Sequence, residues 1–395
     1  MRVRLMYQRA QLAISVLCGF AVLVSCGGGV DSGGTGAPVA LAAGPVNGLG
    51  SVIVNGVRFD DSAATIVDQD DNALTADQLQ VGMTLRVDAS AVVAGSGQPM
   101  ATAIAIRSGS EIIGPVGSVN FLGTSMTVLG QRVRVTPATW FDSSLPGGID
   151  AVTTGQVVEV WGQYNVRTDE YVATRVAPRA NPSAFELRGV LAAVGPAPQT
   201  ISVGGLTISD ASIAAGALPP LTVGKFVRVT LGTTPVTGVW TALGVAPGNT
   251  PLPDRPDARW AGRISALTSA TQFVVNGVSV DASNAAFSDG GVGVVLGARV
   301  AVVGTTSGGA LHASTVTVEG DETLANSTFE VHGTIASLDA ALGTLRVHGI
   351  TVNYSSQVQF SGGVIADLAM GRTIDVVGTL NNNRTSIDAQ TIAFP

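Results

Sequence analysis

Near the C-terminus, Phe329, Val331, Gly333 and Ile335 alternate with Glu330, His332 and Thr334, the period of two that marks a strand with one buried face. Residues 338–343 turn the chain, and Leu345, Val347 and the run to Val352 form a second, hairpin-paired stretch. A looser segment over 355–370 leads to Thr373–Gly378, then to a turn at 381–383 and a closing strand through Ile387 and Ala389 to Phe394. The same order recurs upstream. Its clearest mark is a strand ending in an Asn-Gly-like turn: Val54-Asn55-Gly56, Leu129-Gly130, Val203-Gly204-Gly205, Val275-Asn276-Gly277 and Val347-His348-Gly349. These turns lie roughly 72 to 75 residues apart, so the chain reads as five copies of one small unit. Further glycines keep fixed places, such as Gly114, Gly189, Gly262 and Gly333 before the hairpin, and Gly155/Gly162, Gly297/Gly304 and Gly371/Gly378 after it. A glycine inside a strand marks a bulge or bend, the device that curls a short sheet into a barrel. The expected fold is therefore all-β, a tandem array of five small OB-like barrels.

The copies are expected at 44–108, 109–180, 184–248, 258–320 and 328–395. The stretches between them (181–183, the proline-rich 249–256, and 321–326) read as linkers. Because each hairpin unit can close on itself, a string of separate beads is expected.

Residues 1–25 have another character. Arg2, Arg4 and Arg9 precede an apolar run from Leu12 to Val24, too short for a comfortable membrane span, as in an export signal. The run ends Leu23-Val24-Ser25-Cys26, which resembles the bacterial lipobox; that resemblance implies cleavage before Cys26 and lipid attachment to its thiol. Residues 26–43 then form a glycine-rich tether. Gly27, where inner-membrane lipoproteins tend to carry Asp, implies the outer membrane. Cys18 would leave with the leader, so no disulfide is expected in the mature chain.

The strand phrases themselves resemble bacterial lipoproteins built from tandem copies of the domain of unknown function 5666. The shared pattern is a Gly-x-Val/Ile opening, a Val-x-Gly hairpin, and an Ala-Thr-x-Ile finish such as Met100-Ala101-Thr102-Ala103-Ile104. The resemblance covers most of residues 44–395, with copy one (short first hairpin) and copy three (Trp240-Thr241-Ala242) departing from it. It implies a fold and no activity.

Composition narrows the function classes. Charged residues make up 12% of the chain and the net charge is −7, before removal of the arginine-bearing leader makes it more negative. An acidic chain whose only lysine is Lys225 repels phosphate backbones, so no nucleic-acid partner is expected. With three histidines and no Gly-x-Ser-x-Gly or His-Glu-x-x-His, neither catalysis nor a cofactor is expected. Gly224-Lys225-Phe226 lacks the hydroxyl of a phosphate loop, and Lys225 reads as a solvent-facing residue opening a strand. His332 and His348 are the candidate metal ligands, expected opposite each other on adjacent strands with Glu330 beside them. Asp68-Gln69-Asp70-Asp71-Asn72 partly matches a calcium loop but lacks its later glycine and glutamate, so an acidic turn is expected. Among the tryptophans, Trp260 reads as core and Trp161 as an exposed platform for a sugar ring. The reading that follows is a non-enzymatic, lipid-anchored envelope protein binding a protein or polysaccharide; the alternative is a glycan- or metal-binding module.

Overall fold

The computed structural model describes residues 37–395, apart from 95–97, 121–123, 196–199, 212, 214–220, 250 and 321–327. Each copy is a closed five-stranded barrel. In repeat 2 the opening strand Ile112–Asn120 pairs with the hairpin Ser125–Val128 and Gln131–Arg134. The second hairpin strand runs parallel to the closing strand Glu170–Pro178, which pairs with the return strand Val157–Asn165, and that strand pairs back with the opening strand. The order 1-2-3-5-4 holds in repeats 1, 3 and 4. Repeat 5 keeps it with its opening strand broken after Thr334. This is the all-β, OB-like architecture that the glycine pattern predicts.

Two sets of glycines build it. Gly82, Gly155, Gly224, Gly297 and Gly371 share φ values of +80° to +87°, a region closed to most side chains. Each donates its N–H to the carbonyl of Val46, Val116, Leu191, Ile264 or Ile335 in the opening strand, at 2.7–2.9 Å. The same five residues donate back to the carbonyls of Met83, Gln156, Lys225, Ala298 and Arg372 at 2.8–2.9 Å. This two-bond clasp closes every barrel. The opening-strand glycines do something else: a Cβ on Gly44 would stand 2.5 Å from Asn55 Oδ1, and one on Gly262 2.6 Å from Asn276 Nδ2. They make room for the first residue of the hairpin turn. That residue has φ between +47° and +55° in all five copies (Asn55, Leu129, Gly204, Asn276, His348), the left-handed start of a tight hairpin turn.

The barrels do not hang as separate beads. Residues 36–395 form one compact unit. The opening strand of repeat 1 starts at Ala40, inside the stretch expected as tether, because residues 40–43 are buried and paired with Arg86–Ala89. Ala40–Ala43 also run parallel to Asp257–Trp260 of repeat 4, and Gly48–Leu49 parallel to Glu330–Val331 of repeat 5, so these three repeats share one sheet system. Repeats 2 and 3 share another, through Ile112–Ile113 against Glu186–Leu187. Cores merge accordingly: one cluster joins repeats 1 and 5 and takes in Trp140 of repeat 2, a second joins repeats 2 and 3, and a third holds the repeat 4 core with Leu41 of repeat 1. The linker expectation fails most clearly at the proline-rich stretch. The opening strand of repeat 4 begins at Arg255, includes Pro256, and is pinned by Arg255 to Asp88 of repeat 1 at 2.9 Å. Proline is tolerated there because it stands at the start of a strand. The 321–326 linker lies outside the described residues.

Candidate functional site

Where repeats 1, 2 and 3 meet, the chain gathers the ionisable side chains it uses so sparingly elsewhere. Arg175 projects from the closing strand of repeat 2 and is 5% exposed. Its Nη2 lies 2.8 Å from Asp142 Oδ2, and its Nη1 donates to the carbonyl of Val81 in repeat 1 at 3.3 Å. Arg228, from the return strand of repeat 3, places Nη2 2.6 Å from Glu186 Oε1 and 2.6 Å from Asp70 Oδ1 in repeat 1. Its Nε donates to Glu186 Oε2 at 3.2 Å, so the guanidinium grips that carboxylate with two nitrogens.

Asp70 is presented by the acidic turn. Asp68 Oδ1 accepts from the backbone N–H of Asp70 and Asn72 at 2.8 and 2.9 Å, which fixes the loop, and Arg107 reaches Asp71 at 2.6 Å. Burial alone would raise the Asp68 carboxyl, but the Asn72 side-chain amide, donating to Oδ2 at 2.9 Å, and the two backbone N–H groups together hold it below its ordinary value. The turn is thus an acidic turn, as expected, with arginines facing two of its carboxylates.

Glu111 and Glu159 are placed differently. Burial pushes both carboxyls up, and their arginines stand back, Arg188 at 3.9 Å and Arg179 at 3.4 Å. Desolvation therefore outweighs attraction. Asp70, Glu159, Trp161, Arg175, Arg179 and Glu186 line a cavity of about 580 Å³. Its guanidinium, carboxylate and amide groups suit polar contacts. The three histidines, which any histidine-based acid or base would need, do not line it.

The histidine pair takes another form than expected. His332 faces Asp375 across the return strand, with Nδ1 2.6 Å from Oδ1. His348 is not on a strand: it occupies the left-handed turn position that Asn55 and Asn276 fill in other copies, and its ring lies over Gly333. Histidine is among the residues that tolerate this conformation. Glu330 turns to Arg58 at 3.4 Å. Among the described residues no three His, Cys, Asp or Glu side chains gather closely enough to hold a metal ion. Cys26 and the whole leader lie outside the described residues. Lys225 is exposed just before its strand, as expected.

Trp161 is a correction. It is 4% exposed, because packing between repeats covers the outward face that a free barrel would show, and a bulge at Trp161/Gly162 shifts the strand's alternation. Trp140 is also buried, edge-on to Phe329 of repeat 5 at 5.2 Å, while Trp260 packs against the repeat 4 core. No exposed sugar platform results from Trp140 or Trp161. The seam itself was missed by sequence reasoning. Its one signal is arginine inside strand phrases of a chain so poor in charge, as in Val172-Ala173-Thr174-Arg175-Val176.

Four segments, residues 43–105, 113–177, 261–317 and 332–393, match the model of the family described as domain of unknown function (DUF5666), together more than half of the chain. The chain belongs to that family. Repeat 3 falls outside the matched DUF5666 segments although its barrel has the same strand order; Leu231 stands at its return-strand bulge, where repeats 2, 4 and 5 have Gly162, Gly304 and Gly378. No curated protein matches the chain. Among solved structures, a multidomain protein with nucleic acid binding domains from Streptococcus pneumoniae is similar over 52% of this chain and 71% of its own, at 12% identity and a TM-score of 0.16. That likeness assigns nothing to the DUF5666 array.

Proposed function

We propose that the chain is a non-catalytic ectodomain of the bacterial cell envelope, anchored at the outer membrane by lipid on Cys26. Its five barrels, four of them DUF5666 copies, serve as one rigid body that binds an envelope protein or polysaccharide. The observation that carries this reading is the use of charge. Guanidiniums and carboxylates bridge repeats, as in Arg228 with Asp70, Arg255 with Asp88 and Arg58 with Glu330, and build a body instead of a repeated reactive constellation. The polar cavity along the seam offers contacts to a polar partner. The anchor rests on Leu23-Val24-Ser25-Cys26 and on the glycine-rich stretch that follows it. Fractionation tests the anchor: Cys26→Ala should move exported protein from the membrane to the soluble fraction, and retention in the membrane would contradict it. Co-sedimentation of the purified body with isolated envelope polysaccharide or envelope proteins tests the binding role. Failure to sediment with either would leave a purely structural part.

A further inference from the structure

A second, smaller cavity lies where repeats 1, 2, 3 and 4 meet. It has a volume of about 130 Å³ and is lined by Thr84, Arg86 and Arg107 of repeat 1, Glu111 of repeat 2, Arg188 of repeat 3 and Trp260 of repeat 4, among others. Three guanidiniums thus face one carboxylate, in a chain whose net charge is −7. Arg107 is well partnered, by Asp71 at 2.6 Å and by the Asp68 carbonyl at 2.9 Å. Arg86 and Arg188 are not. Arg86 Nε stands 3.7 Å from Asp88 Oδ2, and the other oxygen of that carboxylate is taken by Arg255 at 2.9 Å. Arg188 Nη1 stands 3.9 Å from Glu111 Oε1. Both separations exceed a hydrogen bond, although the two arginine side chains are only 21% and 22% exposed. Burial pushes the Arg86 guanidinium down; Asp88 pulls it back, and Arg107 and Arg255 push it down further.

Buried polar groups normally find partners. Around this cavity Arg188 Nε, Thr84 Oγ1 and Trp260 Nε1 are buried without one, as are the acceptors Gln69 Oε1 and Glu111 Oε2. The spare charge is positive. The volume is about four times a water's share of the liquid and well below the roughly 300 Å³ at which sites for larger organic ligands begin. We propose that this cavity binds one small oxyanion of the phosphate or sulfate type, held between Arg86 and Arg188, which ties repeat 1 to repeat 3. A guanidinium fork matches the oxygens of such an ion. Glu111, the carboxylate of the lining, opposes the anion while ionised; burial raises its carboxyl, and the neutral form donates a proton to an oxyanion oxygen. The site is separate from the larger polar cavity and does not depend on the binding role proposed for the body.

Equilibrium dialysis of the full-length chain against radiolabelled inorganic phosphate tests this, with potassium chloride holding ionic strength fixed. Saturable binding of one phosphate per chain is expected, displaced by unlabelled sulfate. Arg188→Gln and Arg86→Gln should each weaken it by about tenfold or more, the worth of one hydrogen bond to a charged group. Glu111→Gln removes the negative charge of the lining and should tighten binding, which a merely structural carboxyl would not do. Arg132→Gln, at a 59% exposed arginine outside the lining, should leave it unchanged. No saturable binding, unchanged affinity in either cavity-arginine variant, or weaker binding in Glu111→Gln would each overturn the proposal. Circular dichroism of every variant separates loss of the site from loss of fold.

Discussion

Gly155 and Arg228 stand for two regions of this molecule that work in different ways. Gly155 belongs to a barrel's own closure: it has φ +86°, a clasp partner in the opening strand, and a counterpart in each of the other four copies. Arg228 belongs to a seam. It joins Glu186 of its own repeat to Asp70 of repeat 1. The comparison teaches that repetition encodes the barrel, while residues that differ between copies encode how barrels assemble.

The largest effect should come from the seam. Arg228→Ala leaves Glu186, whose side chain is 8% exposed, without its bidentate partner, and breaking a buried pair from one side costs about 3–5 kcal/mol. Denaturant unfolding should show that loss; a loss no larger than that of a surface substitution would mean the seam holds little together. Next comes the clasp. No atom lies within 4 Å of a Cβ on Gly155, so Gly155→Ala isolates backbone strain, about 1–2 kcal/mol for a left-handed residue. An unchanged midpoint would show that the clasp tolerates other conformations.

Carboxyls raised by burial, Glu186 among them despite its arginine, should respond to pH in the opposite sense to those lowered by hydrogen bonds. Glu111 and Glu159 have carboxyls raised above 4.5 by burial, so folding favours their protonated forms. Their contribution is fully present below the ordinary value and is lost as pH rises through the raised ones. Thermal midpoints should therefore rise as pH is lowered from neutrality toward 4.5, and Glu111→Gln should flatten that rise. A steeper slope in the variant would reverse the assignment. Asp68 and Asp142, whose carboxyls are lowered by hydrogen bonds, contribute stability that is lost at still lower pH. The smallest effect is expected at His348. Because Asn fills the same turn position in two other copies, His348→Asn should shift stability by no more than about 0.5 kcal/mol. A larger loss, or a loss that appears only when metal is present, would restore a ligand role to the imidazole.

What was legible in the sequence divides along the same line. Strand order, hairpin turns and clasp glycines could be read because steric demands on glycine leave few alternatives and five copies repeat them. The expected bead-like arrangement failed because packing between barrels is carried by single residues such as Arg175, Arg228 and Arg384. Each of these donates to a partner far away in the chain: the carbonyl of Val81, the carboxylate of Asp70 and the carbonyl of Thr136. Trp161 was misread for the same reason, since its strand period reports one barrel's faces and not the neighbour that covers one of them. His348 was misplaced by counting it on a strand, when the glycine after it already marked a turn.

Small-angle X-ray scattering on the chain from residue 37 onward tests most directly whether the barrels form one body. A single compact unit of that length should have a radius of gyration of about 21 Å. A value above about 30 Å, as for barrels strung end to end, would contradict the account.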